Sequence, residues 1–219
     1  MRIYDLSHKL DSNTQIYPGD PSVCFHKHTT VQNDGFAVTG LSLGSHSGTH
    51  IDAPCHFFED GISVDAIDIS LLVGPAVVLD VLDRKPRERI TWDHLIKVGA
   101  NTLIQGHRIV LIRTDWPKHW KTPLYLDHPF LDREAARKLL DMGVRVLGVD
   151  TLNPDETFTE GEGSDFGVHE TILGAGAMIV ENLTNLESLP KEGLHVSLLP
   201  LSLTGCDGSP IRAIAWVPD

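Results

Sequence analysis

The chain has few of the residues that staple, span or grip nucleic acid. It holds only three cysteines, Cys24, Cys55 and Cys206, odd in number and far apart. No Cys-x-x-Cys pair or zinc-ribbon spacing is present, which argues against a disulfide framework and a thiolate metal site. Free thiols in a reducing compartment, the cytoplasm, are the simplest expectation. Cys55 adjoins His56, but neighbours on an extended segment point opposite ways, so Cys55 reads as a small filler rather than a nucleophile. No apolar run approaches the roughly 20 residues a membrane helix needs. Met1 to Leu6 enters an apparent strand directly, without the charged and apolar regions of a signal peptide. Positive charge is scarce: 18 Lys and Arg stand against 30 Asp and Glu, for a net charge of -12. That balance excludes a nucleic-acid partner and an anionic membrane surface, and leaves a small-molecule ligand as the expectation.

What is present is globular. The 219 residues are 41% hydrophobic and 22% charged, enough for a core and suited to one domain. Strand-like stretches dominate. Ile3 to Ser7 alternates, as do Val23 to Thr30 and Phe36 to Leu43, the last two reading as antiparallel strands. Tyr17-Pro18-Gly19-Asp20 is a turn. Pro75 to Leu82, Arg108 to Arg113, Val144 to Val149 and Ala177 to Leu183 are apolar enough for buried strands. Thr91 to Val98 reads as a short helix capped by Thr91 and stopped at Gly99. Arg133 to Met142 reads as a second helix, capped by Asp132 and ended by Gly143. Asn153 to Gly167 is a long acidic loop, a length that in compact domains tends to carry function. Val168 to Leu173 is a helical turn. His195 to Leu203 and Ile211 to Val217 are the last strands, with Gly205 to Pro210 as a tight turn between them. Together these predict one α/β domain with a mixed sheet.

The chemistry concentrates between Gly44 and Phe58. His46, His50, Asp52 and His56 fall within eleven residues, and imidazole and carboxylate are ligands for zinc, iron and manganese. Gly44, Gly48 and Pro54 exclude a regular helix. An extended run from Thr49 to Asp52 points His50 and Asp52 to one side, and a turn at Ser47-Gly48 folds His46 back beside them.

Glu181 lies inside an apolar strand, where a carboxylate is costly unless paired. His169 precedes it on the turn that feeds the strand. The pair either completes a metal site with the first segment or closes a structural ion pair with a helix cap. His56 lies past Pro54, placed either for acid–base work at the rim of an open site or as a fourth ligand of a closed structural one. His26 and His28 share a face of the earlier strand and read as exposed polar positions.

These residues resemble the cyclase family of metal-dependent hydrolases, whose best-known members are bacterial kynurenine formamidases. The family pattern His-x-Gly-Thr-His-x-Asp-x-Pro-x-His-Phe is complete from His46 to Phe57. Further matches run along most of the chain: Tyr17 to Asp20, Arg113-Thr114, Gly148 to Thr151, His169 with Glu181-Asn182-Leu183, and Pro200-Leu201 through Asp207 to Pro210. The resemblance implies an α/β fold of the swivelling β/β/α type, in a homodimer or homotetramer. It implies one or two divalent ions, zinc foremost and manganese as the alternative. His46, His50, Asp52 and Glu181 would hold the first ion, and Asp52, His169 and Glu181 the second, with His56 as acid–base residue. The implied reaction is hydrolysis of a small amide, formamide, lactam or ester. Kynurenine formamidases carry Trp before Pro-Gly-Asp, lining the substrate pocket, where this chain has Tyr17. Isatin hydrolases share the core motif, so a lactam is the alternative substrate. The rival of another class is a metal-stabilised binding protein without catalysis, which requires a closed ligand set and no spare histidine.

Overall fold

A computed structural model describes residues 2–158 and 165–218. Its centre is a nine-stranded mixed sheet. Across the sheet the strands run Ile3–Asp5, Ile214–Trp216, His195–Ser197, Val73–Asp80, Ile109–Arg113, Val146–Val149, Met178–Glu181, His50–Asp52 and Gly208–Pro210. The four strands from Val73–Asp80 to Met178–Glu181 are parallel, and the strands flanking them are antiparallel. Parallel strands need cover on both faces, which explains their continuous apolar sequences. In Ile109–Arg113, Ile109 and Leu111 enter one core with Leu6, Ile51, Leu72 and Val196. Val110 and Ile112 enter the other, with Ala135, Leu139, Val168 and Ile172 of the helices Arg133–Asp141 and Gly167–Gly174. This is the mixed α/β architecture expected from the strand pattern.

Local signals mostly act as anticipated, with instructive departures. The helix Trp92–Lys97 starts after Thr91, whose N–H donates to His94 Nδ1 at 3.2 Å. Gly99, at φ 87°, ends that helix but also opens a second one, Ala100–Leu103. Asp132 occupies the N-cap of Arg133–Asp141 without a side-chain capping bond; its carboxylate lies 3.8 Å from Arg89. The segments Cys24–Thr29 and Val38–Ser42 pair antiparallel, but as a separate hairpin outside the main sheet. His26 and His28 are exposed there, as expected. The stretch expected as a strand from His195 to Leu203 is a strand only to Ser197.

The largest departure concerns Gly205 to Pro210, expected as a tight turn alone. Gly208–Pro210 is a strand that closes the sheet edge against His50–Asp52, with Gly208 opposite Asp52. Pro210 is tolerated because the strand is at the edge. The acidic loop is described at both ends only; residues 159–164 lie outside the described residues. No helix among the described residues is long and apolar enough to cross a membrane.

Candidate metal centre

Two neighbouring strands build the floor of the site. His50–Asp52 pairs antiparallel with Met178–Glu181, with His50 opposite Glu181 and Asp52 opposite Ile179. The alternation that places His50 and Asp52 on one face therefore also brings Glu181 to that face. Gly48, at φ 65°, makes the bend that returns His46 to them, a conformation open to glycine. His169 comes from the helix Gly167–Gly174, packed against the strand that carries Glu181. All five side chains expected at the centre thus meet. Asp52, His50, His169 and Glu181 are buried, and His46 is partly so.

The contacts are short and converge. His46 Nδ1 lies 2.7 Å from Asp52 Oδ1, and His50 Nε2 lies 3.2 Å from both Asp52 Oδ1 and Glu181 Oε2. His169 Nε2 is 3.2 Å from Glu181 Oε1 and 3.6 Å from Asp52 Oδ2. On their far sides the three rings meet oxygen acceptors. His50 Nδ1 donates to Gly48 O at 2.8 Å, His169 Nδ1 to Asp155 Oδ2 at 2.7 Å, and His46 Nε2 to Asp207 Oδ2 at 2.9 Å. A far nitrogen that donates outward leaves the near nitrogen's lone pair facing the carboxylates.

These groups fit a divalent ion. His50 Nε2, Asp52 Oδ2 and Glu181 Oε1 are buried without a hydrogen-bond partner. Buried polar atoms left unpaired cost free energy that a bound cation recovers. Three sets of ligand atoms are compact enough for an ion: His46, His50 and Asp52; Asp52, His169 and Glu181; and His46, His56 and Asp207. Asp52 belongs to the first two, and His46 links the first to the third. Without a cation the cluster holds protons instead. Burial opposes charge on His46 and His50, but Asp52 together with Asp207 for the first and Glu181 for the second outweighs it and raises them to about 9 and about 10. Burial likewise opposes charge on His169, and Asp155 and Asp52 lift it well above the ordinary histidine value.

Above the floor is a cavity of about 330 Å³. Tyr17, Asp20, Phe57, Asn153 and Phe166 line it, together with the edge of the centre. Tyr17 thus lies where the sequence pattern anticipated. Burial raises its hydroxyl's pKa. Phe57 stacks on His169, with ring centroids 4.8 Å apart. His56 is the last residue of the short 3-10 turn Pro54–His56 and lines the same cavity. Its ring lies 4.0 Å from that of His46 and 5.9 Å from that of His169. Burial pushes its pKa below the ordinary value, which favours the neutral ring.

Two participants were not anticipated. Asp155 sits at the start of the acidic loop and accepts both the backbone N–H and the Nδ1–H of His169. Asp207 sits in the turn before the edge strand, 3.3 Å from His56 Nδ1 as well as 2.9 Å from His46. The available signal for Asp155 was indirect: a ligand histidine requires an outer acceptor.

Fold and donor set together define a mixed α/β protein with a candidate divalent-metal centre beside a cavity. Comparison with known proteins narrows it. The Cyclase family model matches residues 4–156, and the chain belongs to that family. The chain is 32% identical over 216 residues to a kynurenine formamidase of Bacillus mycoides, covering 96% of this chain and 95% of that protein. It superposes with a TM-score of 0.88 on an isatin hydrolase bound to the product analogue thioisatinate, at 29% identity, covering 99% and 92% of the two chains. A predicted metal-dependent hydrolase from Bacillus stearothermophilus gives a TM-score of 0.76 at 28% identity, covering 98% and 97%.

Proposed function

We propose that this enzyme hydrolyses a small aryl amide of the arylformamide type at a divalent metal centre. His46, His50, Asp52, His169 and Glu181 hold the ion or ions, and His56 is the acid–base residue. The observation that carries the reading is the pairing of a buried cluster holding unpaired ligand atoms with a half-buried histidine on the wall of the same cavity. A purely structural ion needs a closed ligand set and no cavity beside it. Imidazole and carboxylate donors suit zinc, with manganese as the alternative.

When bound, the ion supplies Lewis acidity to a carbonyl oxygen and to a water. The chain's own groups do the rest. Tyr17, Phe57 and Phe166 give apolar ring surface for an aryl group, and the aromatic contacts orient it. Phe57 and Phe166 also exclude bulk water from the floor, which strengthens every charge interaction there. His56 Nδ1 is engaged with Asp207, so Nε2 is the nitrogen left for the cavity. In its neutral form it takes a proton from the attacking water and returns it to the departing nitrogen. An arylamine departs more readily than an alkylamine, which favours anilide-like substrates.

Lactam cleavage of the isatin type is the second reading. It is supported by the close superposition on an isatin hydrolase and by Tyr17, where the formamidase pattern has Trp. One experiment addresses both: metal analysis of purified protein beside hydrolysis of formylkynurenine, isatin and simple aryl esters. Metal-dependent turnover of formylkynurenine well above isatin supports the first reading, and the reverse order supports the second. Metal-loaded protein inert on all three counts against both.

A further inference from the structure

We propose that Asp207 is a positioning residue that sets the ring tautomers of two histidines at once, His46 and His56. The inference rests on the reading of His46 as a metal ligand and His56 as the acid–base group.

One oxygen, Asp207 Oδ2, lies 2.9 Å from His46 Nε2 and 3.3 Å from His56 Nδ1. A carboxylate oxygen only accepts, so each of those nitrogens carries a proton. With a cation bound, each imidazole is neutral with a single N–H, and its other nitrogen presents a lone pair. For His46 that nitrogen is Nδ1, 2.7 Å from Asp52 Oδ1, where two acceptors converge on the position of a cation. For His56 it is Nε2, the nitrogen a general base requires. His50 and His169 have their own outer acceptors in Gly48 O and Asp155. Asp207 fills that role for His46 and extends it to His56.

The backbone holds Asp207 there independently of its side chain. Ala53 N–H donates to Asp207 O at 2.9 Å, and the next residue, Gly208, pairs with Asp52 in the sheet. A side chain at 208 would meet His46 Cε1 at 2.7 Å and Ile51 O at 2.9 Å. The bare glycine lets the His46 ring lie against the strand and reach the preceding carboxylate. The turn from Asp207 to Pro210 is therefore part of the centre, although it lies some 150 residues from the His46–His56 segment in sequence.

The test uses zinc-loaded full-length protein, histidine side-chain ¹⁵N shifts and zinc affinity by chelator competition. Wild type should show His46 protonated at Nε2 and His56 at Nδ1. Asp207→Ala keeps both backbone contacts. It should bind zinc about 10–100-fold more weakly, the usual effect of losing an outer partner of a ligand histidine, and show His56 in mixed tautomers. Asp207→Asn retains an acceptor oxygen without the charge and should lie between the two in affinity. Wild-type zinc affinity together with unchanged tautomers in Asp207→Ala overturns the assignment. His50→Ala in the same titration separates the two readings. If it loses zinc while Asp207→Ala does not, only the Asp207 role fails; if it binds zinc as wild type does, the metal centre itself is misplaced.

Discussion

His50 and Glu181 stand directly opposite each other in an antiparallel strand pair, and their side chains approach to 3.2 Å. Sheet register therefore assembles the centre. A slip of one residue would turn Glu181 to the other face and leave His50 and Asp52 with two donors fewer, since His169 arrives on the helix that feeds the same strand. The site is a property of the strand pairing as much as of the residues.

That pairing makes both metal binding and the metal-free fold depend on Glu181. Without an ion, Glu181 and Asp52 are two buried carboxylates that repel each other while His50 and His169 compensate. The balance holds the Glu181 pKa below the ordinary value, so its ionised form stabilises the fold. Glu181→Gln is nearly isosteric and removes that charge. Metal affinity should fall, and the metal-free fold should lose stability, because His50 and His169 lose a buried counter-ion. Urea unfolding of both metal-free proteins checks this. Equal or greater stability of metal-free Glu181→Gln would mean that repulsion from Asp52 outweighs the two histidine contacts.

Asp150 gives a prediction independent of the metal. It is buried in the parallel region and accepts from Thr114 N, Thr114 Oγ1 and Asp115 N. Burial raises its pKa from 3.8 to about 7, against the pull of those three donors. A carboxyl whose pKa is raised by folding binds its proton more tightly in the folded state. Its stabilising contribution is full below pH 3.8 and is lost as pH climbs to about 7, by roughly 4 kcal/mol. Metal-free wild type should therefore lose ground against Asp150→Asn between pH 5 and pH 8 in urea unfolding. A pH-independent difference would show that the three donors keep Asp150 ionised throughout.

Much of this site was legible in the chain because its signals were local. The period-two alternation of His50 and Asp52, the glycine at 48 and a lone carboxylate in an apolar strand each point to a physical requirement that sequence alone expresses. The buried strands at the fold's centre were legible for the same reason, since strands covered on both faces are apolar throughout; their parallel pairing was not. What escaped notice depends on distant pairing. Gly208 to Pro210 carries the residues of a turn, and only its place beside His50–Asp52 makes it a strand. Asp207 and Asp155 are acidic residues among many in polar loops, and nothing local marks them as partners of His46 and His169. Gly99 shows the limit of punctuation signals, since the same glycine ends one helix and begins the next.

Tyr17 should govern substrate choice and leave the metals alone. It lines the cavity. Tyr17→Trp adds ring area worth about 1 kcal/mol of stacking against an aryl substrate. Relative rates should move toward larger aryl amides with metal content unchanged. Identical rate ratios across aryl and alkyl substrates would mean that Tyr17 only supports the loop it sits on.

His56 decides between an enzyme and a metal-stabilised scaffold. Its ring lines the cavity 4.0 Å from that of His46, outside the two ligand sets built on Asp52 and inside the third, with His46 and Asp207. His56→Ala should keep its metal and its fold. The rate should fall by roughly 10²–10⁴, the usual contribution of a positioned proton donor. The loss should be greatest for an anilide, whose nitrogen must be protonated as the bond breaks. An activated ester, whose leaving group departs as an anion, should be partly spared, losing only the help given to the attacking water. A ligand would behave otherwise: metal would be lost and both substrates would suffer alike. The measurements are metal stoichiometry and turnover on the two substrates. Metal loss in His56→Ala would move this ring among the ligands, and the nitrogen would then depart without its proton donor.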